Sequence, residues 1–191
     1  MTLRRVIMVL ALLVLANCGT SPKTHYFTLA VVSGEEQKKV SISSPVTVAA
    51  VHVPSSLDRR EMVRRISANT VDISDQDRWT APLGEMIRGV LSQDLAARLG
   101  KDKVVLPDSP SPPHMSQIVV SIAQFDCDAN GQAALNGGWS LLGDRGQTLV
   151  RRTVSLETKS STRGGDGQAA AMSQILGQLA TRIAATLGGT V

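Results

Sequence analysis

Two thiols, three imidazoles and one glycine-rich run are the groups here whose type and spacing bear on chemistry. Cys18 closes an unbroken apolar run, residues 6–16, that follows Arg4 and Arg5. A thiol in that position is placed to carry lipid. Cys127 falls in a strand-like stretch and reads as a small buried apolar residue, not a nucleophile. Once Cys18 is committed elsewhere, Cys127 has no partner for an internal disulfide, so the domain must rely on packing. His25, His52 and His114 have no second histidine or cysteine at metal-ligand spacing. His114 follows two prolines and reads as solvated; His52 lies within a strand and reads as a core or edge residue. No Gly-x-Ser-x-Gly elbow occurs, and a hydrolase reading would still lack a base to activate any of the serines. Arg163-Gly164-Gly165-Asp166-Gly167 lacks the Lys-Ser/Thr ending of a phosphate loop. Asp166 sets a negative charge where an anion would sit, so the run reads as a flexible connector ahead of a helix. These residues predict a non-catalytic protein with no metal and no cofactor.

The apolar run has eleven residues. A helix crossing a bilayer needs about 20, so the run is too short to span and suits the core of an export signal. Leu15-Ala16-Asn17-Cys18 resembles the bacterial lipobox, although Asn17 is larger than the small residue usual before the cysteine. The resemblance implies that residues 1–17 are removed and that Cys18 becomes an acylated N-terminus. Gly19, in place of Asp, implies sorting to the outer membrane. Each buried methylene of an acyl chain contributes about 0.8 kcal/mol, so several chains hold a soluble body persistently. Residues 18–24 then form a lipidated tether, small, polar and interrupted by Pro22. Residues 25–191 are expected to be one periplasmic domain.

Hydrophobic residues make up 42% of the chain, enough for a real core, but aromatics only 3%, so aliphatic side chains must build it. Two of the four net positive charges leave with the leader. The remainder is too weak and too mixed for nucleic-acid binding.

A strand is expected over residues 25–32, a charged turn over 34–39, and a strand buried on both faces over 46–53. Residues 57–65 fit a helix face, or a strand returning through residues 70–73. Residues 72–78 are polar and read as an exposed loop. Leu83, Met86, Ile87, Val90, Leu91, Leu95 and Leu99 recur at helical spacing. Pro82 suits the first turn of that helix and Gly100 its end. Residues 104–106 are a short strand, and 108–113, with three prolines, a loop. Residues 118–156 read as a three-strand antiparallel meander, turned first at Asn130-Gly131 and then at 143–146. Met172, Ile175, Leu176, Leu179, Ile183 and Leu187 give a last amphipathic helix, which is expected to follow the glycine run. The fold class is therefore α/β of the α+β type. A mostly antiparallel sheet carries two long helices, an order that also suits domains like the N-terminal domain of TolB.

Three blocks resemble one family. They are Tyr26-Phe27-Thr28-Leu29; Val51-His52-Val53-Pro54-Ser55-Ser56-Leu57-Asp58-Arg59 with Met62-Val63-Arg64-Arg65; and Trp79-Thr80-Ala81-Pro82-Leu83. Together they are similar to the ABC-type transport auxiliary lipoproteins, with Val53 and Ser56 standing where that family usually has Leu and Tyr. The resemblance implies a periplasm-facing outer-membrane lipoprotein that is not an enzyme. It implies work with an MCE-domain protein and an ABC transporter to move lipids or other hydrophobic molecules, and homo-oligomeric rings in some members. A stand-alone envelope assembly or secretion lipoprotein is the other reading. Asp58, Arg59, Arg65, Trp79 and Pro82 are the candidate site. Trp79 and Pro82 would pin the helix start, and Asp58 with Arg59 or Arg65 would form a hydrogen-bonded cluster. The arginines fit a structural role, a partner surface or lipid-headgroup contact.

Overall fold

The computed structural model describes residues 22–32, 40–110 and 112–189. The leader, Cys18, the start of the tether and the charged turn expected at 34–39 lie outside the described residues. The elements are β1 (His25–Phe27), β2 (Val46–His52), β3 (Glu61–Ser67), β4 (Thr70–Trp79), α1 (Leu83–Leu99), a 3-10 turn (Lys101–Lys103), β5 (Val104–Val105), β6 (Ser116–Asp128), β7 (Gln132–Leu142), β8 (Thr148–Lys159) and α2 (Gly164–Gly188).

The long strand β6 is the spine of the sheet. One side pairs with β7 along its length, and β7 pairs with β8. Its other side is shared: β2 pairs with its first half, and β3 with Cys127 and Asp128 at its end. β4 and then β1 continue from β3, and β5 continues from β2. The sheet is mixed, not mostly antiparallel as the meander suggested. Four pairings are parallel, β1–β4, β2–β5, β2–β6 and β3–β6. The cause is connectivity. From β2 the chain runs through the β3–β4 hairpin and then crosses over in α1 to reach β5 and β6, and a crossover helix delivers the next strand parallel. The meander itself is antiparallel as read, with Val150, Val154 and Leu156 buried on one face of β8.

Both helices lie on the sheet and pack against each other. Ile87, Leu91 and Leu95 of α1 and Ile175, Leu176, Leu179 and Ile183 of α2 are fully buried with Val48, Ile118 and Leu135 of the sheet. Each such side chain contributes about 1.5–3 kcal/mol on leaving water, and this apolar layer is what holds the two helical stripes.

Five local expectations change. Residues 72–78 belong to strand β4, which forms a hairpin with β3 in the register Arg65↔Val71 and Val63↔Ile73. Its sequence looked like a loop because most of it is exposed, so no apolar alternation marks it. The same hairpin decides for strand over residues 61–67. β2 is buried on one face only: Val46 and Val48 are covered and, past the bulge between Val48 and Ala50, Val51 packs against the same core, whereas Thr47 and Ala50 are half-buried, since helices cover one side. β1 stops at Phe27; beyond it the Ala30 N–H donates to Ser173 Oγ (3.0 Å) and the Val32 N–H to Asp94 Oδ1 (3.2 Å), binding the segment to both helices. Pro82 is the N-cap of α1, one residue before its first turn, with extended backbone (φ −51°, ψ 138°). Finally, α2 begins at Gly164, so the glycine run is its first turn rather than a break. A Cβ on Gly165 would collide with the Phe27 ring, and one on Gly167 with the Thr162 carbonyl. These glycines serve close approach, a demand that sequence cannot distinguish from chain breaking.

Candidate functional site

The three sequence blocks converge on one corner of the molecule, where the starts of both helices meet the base of the β3–β4 hairpin. Register brings the first block to the third: Tyr26 pairs with Arg78 and Phe27 with Trp79. The Thr80 N–H donates to the Phe27 carbonyl (2.9 Å), and the Trp79 N–H to the Arg60 carbonyl (2.6 Å). The hydroxyls of Thr28 and Thr80 both reach Met86 Sδ (3.9 and 3.6 Å). Phe27 then lies beneath the first turn of α2. Phe27 therefore links β1 to β4 through its backbone and to α2 through its ring.

The middle block wraps the start of α1. A turn holds Leu57 and Asp58, whose N–H groups both donate to the Pro54 carbonyl (2.8 and 3.0 Å). Asp58 Oδ1 accepts the Gly84 N–H of α1 (3.1 Å). Pro82 has no side-chain acceptor, so the free donors at the helix start find their carboxylate across the fold. The cluster of Asp58 with Arg59 or Arg65 does not form. Arg59 Nε donates to Glu61 Oε2 (3.0 Å), and Arg78 approaches the other oxygen (3.8 Å). The Glu61 backbone N–H and the Arg59 guanidinium hold the Glu61 carboxyl below the usual carboxylate range.

Arg65 lies elsewhere. Its Nε donates to Asp126 Oδ1 (3.1 Å), which also accepts Gln124 Nε2 (3.0 Å), and Gln124 Oε1 accepts Asn136 Nδ2 (2.7 Å). This polar ladder crosses β3, β6 and β7. Trp79 is buried with Leu83, Phe125 and Met172 around a void of only about 10 Å³. The indole packs in the core at the helix start, as the sequence implied. Asp58, Trp79 and Pro82 thus share one corner, Arg59 rims it, and Arg65 is separate.

Sequence reasoning missed the buried ion pair of α1. Asp94 is fully buried, and its Oδ1 accepts Arg98 Nη1 (3.3 Å) as well as the Val32 N–H. Arg98 also donates to the Asp94 carbonyl (2.7 Å), the Gly177 carbonyl (3.0 Å) and Thr181 Oγ1 (2.9 Å) of α2. Asp94 Oδ2 has no partner among the described residues. Burial pushes the Asp94 carboxyl up, against the pull of Arg98. The one signal in the sequence was an Asp and an Arg four apart. That spacing usually marks an exposed helix face. Gln168 was missed too: buried in α2, it donates to the Val63 carbonyl of β3 (2.8 Å).

His52 ends β2 exposed. His25 and His114 are also exposed and lie beside Asp77 (3.2 Å) and Asp144 (3.0 Å). Cys127 is buried, which pushes its thiol up. Among the described residues no group of three His, Cys, Asp or Glu side chains could hold a metal, and no helix is long and apolar enough to cross a membrane. The clefts are modest. One of about 320 Å³ lies among Ile42, Val46, Leu141, Leu149 and Val150, away from the motif corner.

The fold is of the α+β type, two helices on a mixed sheet, and most of the three sequence blocks bonds one of its corners together. The family model for the ABC-type transport auxiliary lipoprotein component matches residues 27–184, and the chain belongs to that family. It is a transport-associated lipoprotein family, not an enzyme family. The chain is 26% identical over 184 residues to the intermembrane transport lipoprotein PqiC of Escherichia coli, covering 95% of this chain and 96% of that one. Its fold matches the crystal structure of an uncharacterized protein with a TM-score of 0.73 at 22% identity, covering 87% of this chain and 99% of the other. A protein from Xanthomonas campestris matches with a TM-score of 0.65 at 18% identity, covering 88% and 97%.

Proposed function

We propose that this protein is a lipid-anchored accessory subunit of an ABC transport system, held at the periplasmic face of the outer membrane by Cys18. It works with an MCE-domain protein to move lipids or other hydrophobic molecules, and it self-associates, in the manner of a ring. Residues 25–191 act as one domain on the tether 18–24. The observation that carries this reading is near full-length similarity to an intermembrane transport lipoprotein, together with the family match. In this reading Asp58, Trp79 and Pro82 frame the corner, while Arg59 and Arg65 serve the partner surface. The role is non-covalent: the subunit tethers and positions.

Two experiments test it. Mass spectrometry of the mature protein should find acyl chains on an N-terminal Cys18, and Cys18→Ser should abolish them. Crosslinking in native membranes should capture an MCE-domain protein. A mature terminus without lipid, or crosslinking that never captures such a partner at normal expression, refutes the proposal.

A further inference from the structure

We infer that the two opposite margins of the sheet are complementary halves of one interface, joining β4 of one copy of this chain to β8 of the next. The inference rests on the self-associating part of the function proposed above and assigns it a surface. At the hairpin end the sheet runs β8-β7-β6-β3-β4. β8 pairs only with β7, so among the described residues its outer edge is unpaired along Thr148–Lys159. β4 meets β1 only at Asp77, Arg78 and Trp79, which leaves the outer edge of residues 70–73 unpaired among the described residues; past it the strand bulges, and Ser74 Oγ accepts the Gln76 and Asp77 N–H groups (3.3 and 2.9 Å).

The two edges carry opposite charge. Residues 70–76 hold Asp72 and Asp75, both exposed, and no base. β8 holds Arg151, Arg152 and Lys159, all exposed, against one acid, Glu157. Arg64 lies opposite Asp72 in the hairpin register, at a distance that makes no ion pair. Arg59, Arg65, Arg78, Arg88 and Arg98 each have a carboxylate within 4 Å, whereas among the described residues no ion pair engages Asp72, Asp75, Arg151 or Arg152. Each edge also exposes aliphatic surface: Val71 (54%) and Ile73 (39%) on β4, Leu149 (53%) on β8.

An unpaired strand edge is a template for another strand, and charges on it select which strand is admitted. Two copies of β8 bring together like net charge, as do two copies of β4, whereas the mixed pairing joins edges of opposite net charge and covers the exposed aliphatics. Because the two surfaces differ, the contact is heterologous and closes into a ring or propagates.

The test is sedimentation velocity of the full chain in mild detergent over a concentration series. The wild type should assemble beyond a monomer. Arg151→Glu with Arg152→Glu should weaken association about tenfold or more, as should Asp72→Arg with Asp75→Arg. Combining all four substitutions should restore assembly. Raising ionic strength should dissociate the wild type, which tests the same interface with no substitution should a variant fail to fold. A wild type that stays monomeric overturns this inference and the self-association it rests on. Assembly that survives either charge reversal or high salt, or a folded four-fold variant that stays monomeric, overturns this interface alone.

Discussion

The substitution Arg98→Met separates the buried ion pair from the packing around it. Methionine keeps most of the aliphatic volume of Arg98 and removes the charge that faces Asp94. The remaining carboxylate is fully buried, with one oxygen bonded to the Val32 N–H and the other unpartnered. Removing one member of a buried pair costs about 3–5 kcal/mol, because the other is left as an uncompensated charge. The loss of the bonds to Gly177 and Thr181 falls within that range. For a domain of this size each kcal/mol corresponds to roughly 2–4 °C, so the melting temperature should fall by about 6–20 °C. The pH dependence is more diagnostic. Burial already raises the Asp94 carboxyl. A folded pKa above the unfolded one means that the native state holds more protons in the window between them. Stability contributed by the protonated form is therefore lost as pH rises through that window. Without Arg98 the folded value rises further and the window widens. The penalty of Arg98→Met should thus be largest near neutral pH and shrink toward pH 5. Asp94→Leu added to Arg98→Met should recover most of it, since an apolar pair of suitable volume replaces the charged one. Urea unfolding of the three proteins at both pH values reads this directly. A penalty below about 1 kcal/mol, or one equal at both pH values, refutes the reasoning.

The other predictions concern the corner and the thiol. Asp58→Ala should cost about 1 kcal/mol by freeing the Gly84 N–H, and Asp58→Asn should cost less, because it keeps the acceptor oxygen. Thermal melts check both, and a silent Asp58→Ala would remove the cap from the account. Gly165→Val should destabilise by about 1–3 kcal/mol through its clash with the Phe27 ring, with partial recovery on adding Phe27→Leu; a double variant no more stable than the single one denies that contact. Cys127 should resist thiol reagents in native protein and react fully in denaturant, as its burial and raised thiol dictate. Rapid native labelling would mean that the sheet opens there.

The periodic elements were legible because one covered face writes itself into sequence. The stripes of α1 and α2 and the alternation in β8 are direct consequences of a single apolar layer. The polar strand β4 was not legible, since it is exposed and owes its conformation to pairing with β3. Strand direction was not legible either, because it depends on the path of the chain between strands rather than on residues within them. At the corner, the sequence marked Trp79 and Pro82 as neighbours of the helix start, but it did not place Asp58 there. It paired Asp58 with the wrong group. Nearby arginines suggested an ion pair, but Arg59 has Glu61 two residues away and Arg65 has Asp126 across the sheet. The helix start was left with free amide donors and a proline that offers none of the needed acceptors. Competition among partners is settled by position in the fold, and composition carries no trace of it.

The concentration of bonds on the first described residues has a mechanical reading under the proposed anchoring. A protein fastened through its N-terminus feels every displacement of the membrane or its partners at β1. Three strand residues alone would peel. Here the Phe27 carbonyl accepts from Thr80, the Phe27 ring seats against Gly165 of α2, and the Ala30 and Val32 amides bond to side chains of α2 and α1. Load entering at His25 is thus divided among the sheet and both helices before the chain passes Val32. The buried Asp94 belongs to this arrangement. Its carboxylate joins the incoming segment to α1, and Arg98 carries the connection to α2 through Gly177 and Thr181. An apolar pair could fill the same space between the helices but could not bond the Val32 amide. The unpaired oxygen is thus the cost of a connection that the anchored end requires.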